Sequence, residues 1–160
     1  VIFFRKLRTF SSLGNDERVL IFQALLLPLA VQLGFRTTGV SNTQARLRNW
    51  ARGKATTGLP VPPESVIRLA RRAQGVTRRL IGSNGTCLQR SLTLWAILTR
   101  RGVAVDLRVG FRRQAGAIEG HAWVEYQGEP INEAPEVVDT YTVTPGEAAF
   151  DLWAAGVRST

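Results

Sequence analysis

Residues 86–111 read TCLQRSLTLWAILTRRGVAVDLRVGF, and the period of their apolar residues changes once. Leu88, Leu92 and Trp95 recur at helical spacing, and Ile97 and Leu98 widen the same face. The spacing predicts a helix of about four turns, closed by Gly102, since glycine accepts the left-handed conformation that ends helices. From there Val103, Val105, Leu107 and Val109 alternate with Ala104, Asp106, Arg108 and Gly110, the pattern of a strand. A helix that leads into a half-buried strand packs as one layer on another, an α+β arrangement.

Working downstream, Gln114 to Gly120 reads as a loop, His121 to Tyr126 as a second strand, Gln127-Gly128 as a tight turn and Glu129 to Glu133 as a third strand. If Tyr126 faces Glu129, Ala122 faces Glu133, and Glu133 lies one residue from the position opposite His121. Beyond Pro135 the sequence offers only apolar anchors, Phe150 and Trp153. Upstream, Gly82-Ser83-Asn84-Gly85-Thr86 is a break. Pro62-Pro63-Glu64-Ser65 resembles a helix start, with Val66, Leu69, Ala70 and Ala73 behind it. Residues 36–63 are loop-rich around a short helix, Gln44 to Arg52. Asp16-Glu17 can open an earlier helix that runs to about Leu33, where Gly34 can stop it. The expected layout is one domain, with residues 1–80 a helical N-terminal region and 81–160 the core that carries the chemistry.

Val19 to Leu33, VLIFQALLLPLAVQL, is the most apolar stretch. It is short for a stable membrane span and is interrupted by Gln23, Pro28 and Gln32, so it reads as a buried helix. A membrane-surface helix behind Arg5, Lys6 and Arg8 is the alternative.

The 160 residues are enough for one core, and 44% hydrophobic with 21% charged residues is a globular composition. The single Cys rules out an intramolecular disulfide, and one Cys with one His is too few of these ligands for a usual structural zinc site. A lone Cys and lone His suit a cytoplasmic enzyme with no metal and no cofactor. The net charge of +9 is uneven: residues 1–100 hold 16 basic against 3 acidic residues, and residues 101–160 hold 5 against 9. The basic half is either an Arg-rich solvated surface or a face for an acidic partner. No aromatic-basic interleaving accompanies it, which argues against nucleic acid.

Cys87 falls in the first turn of its helix. Unsatisfied N–H groups and the helix dipole favour a thiolate there, and the same donors can hold an oxyanion. His121, 34 residues later, is the candidate base, and Glu133 the candidate orienter of its imidazole. Asn132 and Asp139 are the alternates for that third place.

These residues look familiar as a set. TCLQRSLTLWAILTRRGVAVDLRVGF followed by GHAWVEYQGEPINE resembles the stand-alone transglutaminase-like leader peptidases of lasso peptide biosynthesis, the B-type proteins. The likeness spans roughly Ser83 to Glu133. It implies a papain/transglutaminase-like core, with the Cys87 helix packed on an antiparallel sheet, and a cysteine protease that removes the leader from a ribosomally made precursor. It places the family's Cys at Cys87, its His at His121 and its acid, usually Asp, at Glu133. The implied partners are the precursor peptide, a separate small leader-binding protein and an asparagine-synthetase-like cyclase. Two other functions stay open from the residues: acyl transfer to an amine on the same triad, and a basic peptide- or nucleic-acid-binding protein in which Cys87 is inert.

Overall fold

The computed structural model describes residues 14–53, 64–65, 67–68, 71–72, 74–75, 86–145, 148–155 and 158–159. In chain order the elements are α1 (Asn15–Thr37), α2 (Val40–Arg52), α3 (Cys87–Arg100), β1 (Asp106–Gln114), β2 (Ala117–Tyr126), β3 (Glu129–Pro130), α4 (Val137–Thr140), β4 (Thr142–Val143), α5 (Ala148–Ala154) and β5 (Arg158–Ser159). The described residues between 64 and 75 are helical too, and Ile67 there is buried. The readings at Pro62, Pro63, Val66, Leu69, Ala70, Ala73 and Gly82–Gly85 lie outside the described residues.

The centre is α3, buried on nearly every side. Its three buried polar side chains are each satisfied: Gln89 donates to the Pro28 carbonyl at 2.6 Å, Ser91 to that of Ala122 at 2.8 Å, and Thr93 to that of Gln89 at 2.7 Å. Gly102 closes the helix as expected, with φ +76. Val103 N–H reaches Leu98 O and Gly102 N–H reaches Thr99 O, both at 3.0 Å, and Val103 packs with Leu98 in one cluster. That is a Schellman stop with its hydrophobic contact.

The sheet runs β3-β2-β1-β4, antiparallel throughout, with β5 added in parallel to β2. The protein is thus α+β, a helical N-terminal half and a central helix on an antiparallel sheet, as the sequence predicts. The strand boundaries differ from the prediction. β1 starts at Asp106 rather than Val103, and the expected loop at 114–120 is mostly strand. Its turn is only Ala115-Gly116, with φ +49 and +80, a two-residue hairpin of the kind that matches strand twist. Ala at the first left-handed position hides that signal. The second turn, Gln127-Gly128, has φ +53 and +86, and Tyr126 pairs with Glu129 as expected. Pairing then stops at Pro130 rather than Glu133.

Alternation sorts the hairpin into two faces. Leu107, Val109, Ala122 and Val124 pack toward the helices. Arg108, Gly110 and Arg112 stand opposite Trp123, His121 and Glu119 on the other face.

Two upstream expectations need correction. α1 does not stop at Gly34 but runs on to Thr37. A Cβ at position 34 would lie 2.7 Å from Thr43 Oγ1, so this glycine serves the close approach of α2 rather than a helix end. The Val19–Leu33 stretch is buried on one side only. Leu20, Ala24 and Val31 face the core, whereas Val19, Phe22, Leu26, Leu29 and Leu33 are 47–62% exposed. Among the described residues one helix, Arg18–Thr37, is long and apolar enough to cross a membrane by length and composition.

Candidate active site

Thr86 opens α3. Its hydroxyl accepts from the Gln89 N–H at 3.2 Å, and its carbonyl takes the first helical bond, from Arg90 N–H. That cap fixes Cys87 in the first turn, fully buried, with its thiol aimed at the Gly120 carbonyl oxygen 3.9 Å away. The strand residue after that carbonyl is His121, whose imidazole lies near enough to Cys87 for the two to interact. Cys87 therefore comes to β2 from the helical side and meets a histidine that belongs to the opposite face.

Two rings hold that histidine. Its imidazole stacks on Tyr141, centroids 5.2 Å apart at 24°, and on Trp123, 6.3 Å apart at 22°. The stack is possible because Gly110 is its cross-strand partner. A Cβ there would lie 2.8 Å from the Tyr141 Cβ and 3.1 Å from the Trp123 ring. The Arg112 guanidinium covers Tyr141 at 4.7 Å and pairs with Glu119 at 2.6 Å. Trp123 donates to Glu125 at 2.9 Å, and Glu125 binds Arg108 at 2.8 Å.

Glu133 lies on the other side of the ring, Oε2 at 3.6 Å from His121 Nε2, and its second oxygen is 4.0 Å from Arg90 Nη2. Residues 131–133 bend away from the strand. The longer Glu side chain is set back by that bend and reaches the imidazole from there. Burial pushes the His121 pKa down, but hydrogen bonding to Cys87 and Glu133, with the charges of both behind it, outweighs this and raises it to about 9. The arrangement favours the protonated imidazole.

The two alternates are elsewhere. Asn132 Oδ1 accepts from the Val124 N–H at 2.8 Å and Nδ2 donates to Ser91 Oγ at 2.9 Å, so its amide ties the post-β3 segment to α3. Asp139 is exposed on α4. The sequence reading thus brings Cys87, His121 and Glu133 together, but it missed Gly110, Trp123 and Tyr141. The Gly110–Trp123 signal was available, as strand positions sharing His121's face. Tyr141 was not, because β4 is two residues long and has no period of its own.

Among the described residues no group of three or more His, Cys, Asp or Glu could hold a metal ion. The family model for the transglutaminase-like superfamily matches residues 29–145. Comparison with curated proteins and with solved structures gives no match.

Proposed function

The chain belongs to the transglutaminase-like superfamily, whose chemistry is of the cysteine hydrolase or acyltransferase kind, and on that premise we propose that it is a cytoplasmic cysteine endopeptidase that cuts the leader from a lasso peptide precursor. The observation that carries the proposal is the contact of Cys87, His121 and Glu133 at the end of a capped, buried helix.

In this reading the Cys87 thiolate attacks the scissile carbonyl. The cap uses the Gln89 N–H, so the Leu88 N–H of the same turn is a donor for the oxyanion. Glu133 engages Nε2, which leaves Nδ1 as the nitrogen that faces Cys87 and passes a proton to the leaving amine. The acyl group stays on sulfur until water releases it. The narrower role rests on the CLQRSL and GHAWVE motifs. It brings a separate small leader-binding protein, which raises the effective concentration of the leader at Cys87, and a synthetase-like cyclase that uses the product.

The test is mass spectrometry of a precursor peptide incubated with the protein, with and without the leader-binding protein. Two fragments joined at one bond, faster with the partner and absent with Cys87→Ala, are expected. An intact precursor under all conditions, or cleavage that survives Cys87→Ala, overturns the proposal.

A further inference from the structure

A cavity of about 460 Å³ opens between α2, the C-terminal half of α3 and the segment that enters β1. It is well within the range of ligand sites, roughly 300–1,000 Å³, and Cys87 is not on its lining. Its floor is apolar, with Trp95, Leu107 and Phe150. Its α2 wall presents Gln44, Arg48 and Arg52 at four-residue steps, one stripe of the helix. Asp106, the acid on this lining, is already engaged by Arg108 at 3.7 Å. Arg52 has no acidic partner among the described residues.

Gln44 is the buried member of that wall, 4% exposed and lining the cavity. A primary amide has a donor and an acceptor, the pair that a peptide group requires.

We infer that this cavity is a second binding site for the cleaved polypeptide, one that takes a stretch with an apolar side chain flanked by carboxylates. Gln44 reads its backbone, Arg52 its charge, and Trp95 the apolar side chain. The inference rests on the peptidase reading for its place in the reaction but not for binding. Trp95 and Thr99 lie 8 and 12 residues from Cys87 on α3, about 12–18 Å at 1.5 Å per residue. An extended peptide covers that in roughly four to six residues.

The experiment measures anisotropy of a labelled pentapeptide amide, Gly-Glu-Leu-Glu-Gly, on the full chain. Saturable binding is expected, tenfold or more weaker with Arg52→Glu, and lost for the same peptide with Lys in place of Glu. Gln44→Leu should weaken binding to a similar degree, because it removes the donor and acceptor that would meet the peptide group. Equal binding by the parent and both variants, or by the Lys peptide, overturns the site. For cleavage, Arg52→Glu should raise KM with kcat unchanged on substrates that carry the acidic stretch four to six residues from the cut. Binding without any cleavage would sink the peptidase reading and leave the site standing. Unchanged KM in an active enzyme would sink the site alone.

Discussion

The two faces of the β1–β2 hairpin come from the same nineteen residues of strand and do opposite things. Toward the helices, Val109, Ala122 and Val124 bury methyl groups against α3 and α5, with no polar side chain of the hairpin among them. The far face is a line of charges and rings, Arg108–Glu125–Trp123 and Arg112–Tyr141–His121, each held by a named partner. One face obtains its stability from contact area, which tolerates small shifts. The other fixes the direction of an imidazole, which does not. The site exists because Cys87 crosses from the first environment to the second.

The sharpest test of that crossing is Cys87→Ala. Alanine suits the apolar cluster around position 87, so the fold should survive, while cleavage should fall by at least about 10⁴-fold, as for a lost nucleophile. Circular dichroism and a precursor-cleavage assay read the two sides separately.

Glu133 and Asn132 come next, neighbours on opposite sides of the same distinction. Glu133→Ala should lower turnover by about 10- to 1,000-fold with little change in stability, since it removes an orienting contact. Asn132→Ala should instead cost about 1–3 kcal/mol of stability, because it strands the buried Val124 N–H. Denaturant midpoints beside initial rates distinguish them. If Asn132→Ala is stable but inactive, the assignment of the two residues is reversed.

The single histidine makes the third test clean, since only one imidazole titrates. Its pKa, raised to about 9, means that the imidazolium persists through neutrality. Cleavage should hold from pH 7 to about 9 and then fall tenfold per unit as the proton is lost. The same shift stabilises the fold fully below the unfolded value, about 6.5, and this contribution fades as pH rises through about 9. In Cys87→Ala, NMR titration should show the pKa lowered, because a cause that raises it is gone.

The smallest effect is Gly110→Ala. Its Cβ would meet the Tyr141 Cβ at 2.8 Å and the Thr142 carbonyl at 3.2 Å. Overpacking of about 1–3 kcal/mol should appear in the melting point. A severalfold drop in kcat should accompany it as Tyr141 is moved off His121, and Gly110→Ser should do no better.

What was legible in the sequence follows from this division. The apolar face has a period, so α3, its stop at Gly102 and the alternation through Val109 could be read directly. The Tyr126–Glu129 register followed from the Gln127-Gly128 turn, but Glu133 reaches His121 from the bend past Pro130 rather than through the strand pairing expected there. Contacts made by short or irregular pieces were not legible. Ala115-Gly116 lacks the Asn or Asp that marks such turns, and β4 is too short for a pattern. Gly34 looked like a helix stop because only the tertiary neighbour, Thr43, reveals its use. Pro28 remains inside α1, and its carbonyl accepts from Gln89, a contact 61 residues away in sequence.

The complete burial of Cys87 has a chemical consequence of its own. A thiolate is the form of cysteine that peroxide attacks, and exposure sets how fast. This chain has no second cysteine to trap a sulfenic acid as an internal disulfide, the usual route back to thiol. Its defence against irreversible oxidation is therefore steric. The packing that keeps oxidants from the sulfur is also what any molecule must displace to reach it, so protection and access are coupled.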